Sequence, residues 1–202
     1  MKHRNDLTKT ESRRLCLLLL NMAIIAGIAA GAAVAAMKRG SGMTDSLWLH
    51  QFFAPVYSGN TVLDVFKNTF VLSGIYLAAV FILGFFSFGQ PLGIILLAYR
   101  GFGIGVSVAQ MYILSGMESL PAVLAMLLPK ALALSFIASL GVREMLKLSC
   151  ALFSFLFKDE LPDEKMVRTV KLYAVKFLVL LFLSLLVSIA DSALNYIFMD
   201  LY

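Results

Sequence analysis

Three charged residues, Arg100, Lys130 and Asp191, interrupt long apolar stretches of the sequence. A charge at the centre of a membrane helix costs ~2.5–3.5 kcal/mol on insertion scales, so each of the three needs a compensating role. Lys130 and Asp191 carry opposite charges and are expected at similar depths, so they can form a structural ion pair. The three residues can instead line a polar path through the membrane, or recognise a partner within it. The residues alone leave these alternatives open.

Other groups that could perform catalysis or bind a metal are scarce. The two cysteines, Cys16 and Cys150, and the two histidines, His3 and His50, are isolated from one another. No apolar stretch contains a histidine or a pair of aspartates, and the sequence has no His-Glu-x-x-His, Gly-x-Ser-x-Gly or Walker motif. We therefore expect no enzymatic activity, no metal and no cofactor.

The composition indicates that the chain lies in a membrane, with lipids around it. Of its 202 residues, 60% are hydrophobic and 14% are charged, whereas soluble domains average roughly 45–50% and about 25%. The net charge of +5 is explained by the excess of Lys and Arg in the cytoplasmic loops of membrane proteins. Nucleic acid is not an expected partner, since basic and aromatic residues do not alternate as they do in single-strand binding grooves.

Five stretches are long and apolar enough to cross a bilayer, which takes ~20 helical residues. Their approximate bounds are 15–37, 61–88, 92–116, 120–142 and 173–198. The first exceeds the ~7–15 apolar residues of a signal peptide, so we expect a retained helix rather than a cleaved signal. The sequence thus predicts one all-α domain over 1–202, a polytopic membrane helix bundle of about five transmembrane helices plus interfacial amphipathic helices.

The segments between these stretches predict the orientation of the bundle. Residues 1–14 contain five Lys and Arg and residues 143–171 contain six, against three in residues 38–68. Because Lys and Arg accumulate on the cytoplasmic side, we expect the 1–14 tail and the 143–171 loop inside the cell and the C-terminus outside. Residues 89–91 are predicted to form a tight turn, and residues 148–157 a separate helix lying in the interface.

The outer segment, residues 38–68, is amphipathic over most of its length. Its aromatic residues Trp48, Phe52, Phe53 and Tyr57 would cluster loosely on one side of a short helix. Aromatic, amphipathic segments of this kind are typical of the membrane interface. We expect this segment to lie there and to be the surface that binds a partner.

Five glycines are candidates for close packing between helices. Gly27 and Gly31 form a GxxxG motif in the first stretch, and Gly101, Gly103 and Gly105 directly follow Arg100. Small residues let two helix backbones approach closely. Alternate glycines also make a helix flexible, so the third stretch is expected to be either broken or tightly packed.

Several short motifs occur in a fixed order over about residues 14–200. They are Phe52-Phe53, Val56-x-Ser58-Gly59, Phe66-x-Asn68, Gly84, Pro91, Arg100-Gly101-x-Gly103-x-Gly105 and Leu127-Leu128-Pro129-Lys130-Ala131. In these motifs and in the order of its apolar stretches the chain resembles the stage II sporulation protein M family. It departs from the family at two places, because many members have Asn in place of Arg100 and His-Gly or a polar amide in place of Lys130-Ala131.

The resemblance implies a multi-pass protein of the bacterial cell membrane that works at the sporulation septum. It implies as partners the stage II sporulation proteins D and P, which are cell-wall hydrolases that thin septal peptidoglycan during engulfment. The leading hypothesis is therefore a non-catalytic scaffold or anchor that recruits these hydrolases. The alternative is a channel or transporter component that uses Arg100, Lys130 and Asp191 along a polar path. A homo-oligomer is compatible with either hypothesis.

Overall fold

The computed structural model describes residues 2–37, 62–86, 89–116, 127–156 and 164–199. These residues form five helices and no strand, which confirms the predicted all-α membrane helix bundle. The helices are α1 (Lys2–Met37), α2 (Val62–Leu83), α3 (Gly89–Ser115), α4 (Leu128–Leu156) and α5 (Glu164–Met199).

Four of these helices contain a stretch that is long and apolar enough to cross a membrane. The stretches are Cys16–Met37 in α1, Leu63–Leu83 in α2, Gly89–Gln110 in α3 and Val167–Leu194 in α5. Five had been predicted, and α4 is the helix that does not qualify. Its described part is less apolar because it carries Lys130, Arg143, Glu144 and Lys147. The first part of the predicted stretch 120–142 lies outside the described residues.

Helices that follow one another in the chain run in opposite directions, so α1 and α3 run parallel, and so do α2 and α4. Along the contact of α1 with α3 the backbone of Gly101 lies against Ile24, and that of Gly105 lies against Ile28. Gly93, near the start of α3, instead contacts Met145, late in α4. Parallel α1 and α3 are the arrangement expected when α2 crosses the membrane once between them.

The alternation gives the bundle two ends, and α4 extends between them. At one end, here called the Glu144 end, Glu144 of α4 is paired with Lys176 from the first half of α5. At the opposite end, here called the Asp191 end, Lys130 of α4 is paired with Asp191 from late in α5. The fourteen residues from Lys130 to Glu144 extend ~21 Å along the helix. Helix α4 thus connects the two ends of the bundle and contacts all four other helices, although it carries several charged residues.

Three helix boundaries differ from the sequence predictions. Helix α1 already begins at Lys2, within the predicted 1–14 tail. The predicted turn at residues 89–91 is wrong, because α3 begins at Gly89 and includes this segment. Pro91 is accommodated there because the first turn of a helix does not need every backbone N–H group.

Helix α4 also continues to Leu156, where a break near residue 143 and a separate interfacial helix were predicted. The reason is that Val142, Met145, Leu148 and Ser149 recur on one face of the helix and are all buried in the bundle. The predicted 143–171 loop therefore contains the last turns of α4 and the beginning of α5, which starts at Glu164.

Helix α1 packs mainly against α3, and glycines make this contact possible. A Cβ atom added at Gly27, Gly31, Gly101 or Gly105 would fall 2.1–2.2 Å from a backbone oxygen of the other helix. Helix α3 is consequently continuous and tightly packed, not broken. Gly103 faces about 200° away from Gly101 on the helix; it is buried, and its carbonyl accepts a hydrogen bond from Ser107 Oγ.

Substitution of Gly101 by alanine should destabilise the bundle, because the new methyl group would meet the carbonyl of Ile24 at 2.2 Å. Forced overpacking of this kind costs ~1–3 kcal/mol. The measurement is thermal unfolding of the purified protein in detergent. Gly74→Ala is the matched control, since a Cβ atom at Gly74 has no neighbour within 4 Å. Equal effects of the two substitutions would contradict the close contact of α1 and α3.

Candidate functional site

The candidate site is a buried cluster of three side chains from three helices. Lys130 Nζ lies 2.6 Å from Asp191 Oδ2 and donates a second hydrogen bond of 2.9 Å to Thr69 Oγ1. Thr69 Oγ1 donates in turn to Asp191 Oδ2 at 2.9 Å. The cluster therefore joins α2, α4 and α5 through charge-assisted hydrogen bonds, which are about twice as strong as neutral ones.

Helix geometry explains how the three residues meet. Lys130 lies in the first turn of α4, which begins at Leu128. Thr69 is in the second turn of α2, and Asp191 is eight residues before the end of α5. Because α5 runs antiparallel to α2 and α4, these positions coincide in depth at the Asp191 end.

The cluster is shielded from the surroundings. Thr69, Lys130 and Asp191 are 1%, 8% and 2% exposed. In an apolar medium two opposite charges hold each other in place, and a single unpaired charge is strongly unfavourable. The arrangement therefore neutralises both charges inside the chain, as a structural ion pair does.

Small polar residues continue inward from the cluster along the contact of α2 and α5. Ser188 and Ser184 of α5 are fully buried, and Ser73 of α2 lies nearly opposite Ser188 in the antiparallel register. The hydroxyls of these serines donate to carbonyls of their own helices at 2.9–3.0 Å. Small side chains with satisfied hydroxyls allow α2 and α5 to pack closely.

The third predicted charge, Arg100, lies apart from the cluster. Its Cζ atom is 4.8 Å from the centre of the Tyr76 ring on α2, which is a cation–π arrangement. The Arg100 residue is 7% exposed. Tyr76 is seven residues beyond Thr69 on α2, or ~10 Å along the helix. The structure thus brings Lys130 and Asp191 together and places Arg100 about two turns away from them.

Two polar atoms around Arg100 have no hydrogen-bond partner within the described parts of the chain. They are Arg100 Nε and Tyr76 Oη, and both are buried. An aromatic ring stabilises a guanidinium group less completely than a carboxylate does. Of the three intramembrane charges, Arg100 is therefore the one whose charge and hydrogen-bonding groups are least well compensated by the described residues.

A second group of charged side chains, Glu144, Lys147 and Lys176, lies at the Glu144 end. The carboxylate of Glu144 accepts hydrogen bonds from Lys147 and from Lys176, the latter at 2.6 Å. Burial would raise the pKa of Glu144, but the two lysines outweigh it and hold this pKa below its usual range. Both lysines are about half exposed, so this group contributes little to stability in comparison with the buried cluster.

The remaining candidates have different outcomes. The predicted partner-binding residues Trp48, Phe52, Phe53 and Tyr57 lie outside the described residues. Cys16 and Cys150 are free thiols. Within the described ranges, no group of three or more His, Cys, Asp and Glu side chains could hold a metal ion.

Comparison with known proteins adds no family assignment. No family model, no curated protein and no solved structure matches this chain.

Sequence reasoning missed Thr69, the third member of the cluster, and Tyr76, the partner of Arg100. Both are polar residues on the buried face of α2, seven positions apart, with Ser73 between them. That spacing is two helical turns and is the signal that could have found them, because polar residues on one face of a membrane helix indicate an inner face.

Replacement of Lys130 by methionine should destabilise the bundle strongly, because it leaves the Asp191 carboxylate buried without its counter-charge. Breaking a buried pair typically costs ~3–5 kcal/mol. The double substitution Lys130→Met/Asp191→Leu should recover most of that loss, since it removes both charges. The free energies are obtained from thermal or denaturant unfolding of the purified variants in one detergent.

Thr69→Val is the control, because it keeps the ion pair and removes only the two hydrogen bonds of Thr69, one from Lys130 and one to Asp191; each hydrogen bond to a charged group is worth roughly 1.5–3 kcal/mol. Additive effects of the Lys130 and Asp191 substitutions would contradict a structural ion pair.

Proposed function

We propose that this protein is a non-catalytic integral membrane scaffold that anchors and positions partner proteins. The observation that supports this most is the cluster of Thr69, Lys130 and Asp191, in which the two charges neutralise each other within the chain. A conducting path needs charged groups that face a continuous opening. Here the pair is enclosed, and Arg100 is stacked on Tyr76 at a distance from it.

The partners that we propose are extracytoplasmic cell-wall hydrolases. The basis is the resemblance of the short sequence motifs to the stage II sporulation protein M family, whose partners are the stage II sporulation proteins D and P. In this proposal the hydrolases cut peptidoglycan at the septum, and the bundle holds them at the membrane. The outer segment, residues 38–68, with Trp48, Phe52, Phe53 and Tyr57, is the proposed contact surface.

A channel or transporter component is the second candidate, and one observation favours it. Buried Arg100 Nε and Tyr76 Oη make no hydrogen bond among the described residues, and such groups are costly in a low-dielectric interior. They would be satisfied if water or an ion reached them in another conformation. The scaffold proposal instead assigns Arg100 to the packing of α3 against α2.

The scaffold proposal includes a topology with the N-terminus in the cytoplasm and the C-terminus outside. The alternating directions of α1 to α5 support opposite sides for the two termini, and the distribution of Lys and Arg supports a cytoplasmic N-terminus. In a chain without Cys16 and Cys150, single cysteines at Ser41 and Ser119 should react with a membrane-impermeant maleimide added to intact cells. A cysteine at Asp163 should react only after the cells are opened. Labelling of the Asp163 position in intact cells would contradict this topology.

The partner proposal is tested by affinity purification from an endospore-forming bacterium in which the tagged chain is expressed during sporulation. Quantitative mass spectrometry of the material purified in mild detergent should find cell-wall hydrolases with the wild-type chain. Phe52→Ser/Phe53→Ser should reduce their recovery about tenfold, a loss of ~1.4 kcal/mol in binding.

Phe86→Ser is the matched control, because Phe86 is an exposed phenylalanine at the Glu144 end of the bundle. It should leave the recovery of the hydrolases unchanged. Purification of the wild-type chain without any hydrolase would refute the partner proposal, and so would equal recovery with the two variants.

A further inference from the structure

An apolar groove lies between α1, α3 and α4. It has a volume of about 550 Å³, within the range of roughly 300–1,000 Å³ that is usual for sites of small ligands. One wall is formed by α1 from Asn21 to Ala32, and the facing wall is formed by α4 from Leu127 to Phe136. The floor is α3 around Gly105, where glycine brings α1 close to α3.

The groove lies across the middle of the apolar stretch of α1. The eleven steps from Asn21 to Ala32 extend ~16 Å along the helix, and these two residues each lie five positions inside an end of the stretch Cys16–Met37. Two of its three walls belong to the stretches Cys16–Met37 and Gly89–Gln110, which are apolar enough to cross a membrane. The groove is therefore at the level of the lipid chains.

The polar residues of the groove are concentrated toward one end. Asn21 and Ser135 line it toward the Glu144 end, where Ser139 Oγ donates to Asn21 Oδ1 at 3.2 Å. The other lining residues are apolar side chains and one glycine. Ser135 is 8% exposed, and its hydroxyl has no hydrogen-bond partner in the described part of the chain. Serine hydroxyls in helices often donate a hydrogen bond to a carbonyl of the preceding turn. The Ser135 hydroxyl does not, so its O–H group can donate to a ligand in the groove.

These observations together specify an amphipathic occupant. An apolar cavity does not hold water, and a groove open to the bilayer is filled by what surrounds it. We propose that the groove is a binding site for one acyl chain of a glycerolipid from the leaflet at the Glu144 end. The chain lies along Ile24, Ile28 and Ala32, and an ester oxygen at the polar end accepts the hydrogen bond of Ser135.

The site would explain how α1 is held. Helix α1 packs tightly against α3 alone and touches α4 less extensively. A lipid chain between α1 and α4 would contact the apolar side chains of both helices and so connect α1 to α4. The proposal concerns a lipid site and is independent of the hydrolase partners, so either proposal can fail without the other.

The test is photo-crosslinking of the full-length protein in vesicles of phosphatidylethanolamine and phosphatidylglycerol, a fraction of which carries a diazirine in one acyl chain. Lipid adducts should concentrate on peptides that contain residues 24–32 and 131–136. Native mass spectrometry after mild delipidation should show one retained lipid for each chain.

Ala32→Phe and Ala131→Phe, one on each wall, fill the groove and should each lower lipid retention about tenfold, or ~1.4 kcal/mol. Ala30→Phe is the matched control, because Ala30 is an exposed alanine of α1 outside the groove, and it should retain the lipid. Two positions are used so that misfolding of one variant, seen by its thermal unfolding, leaves the other to decide.

Adducts spread evenly over the groove and the exposed face of α5 would overturn the proposal, as would equal retention by Ala32→Phe and Ala30→Phe. A crosslink from the groove to another protein in native membranes would show that a partner helix occupies it, and the lipid proposal would then be wrong.

Discussion

The ion pair of Lys130 and Asp191 is the interaction on which the rest of this bundle depends. In hydrocarbon neither charge can be hydrated, so each must find its counter-charge within the protein. The pair can form only if the first turn of α4 lies at the depth of Asp191 in α5, and Thr69 of α2 lies at the same level. One pair therefore determines the register of three helices. The fully buried serines Ser184 and Ser188 allow α5 to approach α2 closely enough to keep it.

Different forces hold the other parts of the molecule. At the Glu144 end, α2 and α5 meet through aromatic rings, with Tyr173 stacked on Phe81 at 5.1 Å and close to Phe177 at 4.6 Å. Tyr173 Oη also donates to the carbonyl of Phe81, which lies in the last turn of α2. Helix α1 is held by backbone contact at glycines and by the side chains of Leu20 and Ile24, which are buried in the hydrophobic core. Three kinds of contact thus hold the bundle together. A buried ion pair joins α4 to α5, aromatic rings join α2 to α5, and close packing at glycines joins α1 to α3.

Much of this architecture could be predicted from the sequence, because a bilayer imposes length and apolarity on every crossing helix. Helices α1, α2, α3 and α5 correspond to predicted apolar stretches, and residue counting already indicated that Lys130 and Asp191 lie at similar depths. The beginning and end of α4 could not be predicted in this way. Its buried face, including Met145 and Leu148, continues through a run of charged residues, and only packing against α2, α3 and α5 decides that the helix continues.

The details of the candidate site were less accessible to sequence reasoning for a related reason. Thr69 and Tyr76 are unremarkable in composition, and their roles arise from which charged residue faces them across the helix contact. Arg100 illustrates the limit most clearly. The sequence left open whether its guanidinium shares a polar path with Lys130 and Asp191, and in the structure an aromatic ring of α2 covers it.

The central claim is that the intramembrane charges stabilise a closed bundle and do not form a conducting path. Passive ion and proton flux through the purified protein, reconstituted in vesicles with a pH-sensitive or potential-sensitive dye, tests it most directly. The account predicts that vesicles with the wild-type protein leak no faster than protein-free vesicles under an imposed proton, potassium or chloride gradient. Flux that depends on the protein and is abolished in the Lys130→Met/Asp191→Leu variant would contradict it.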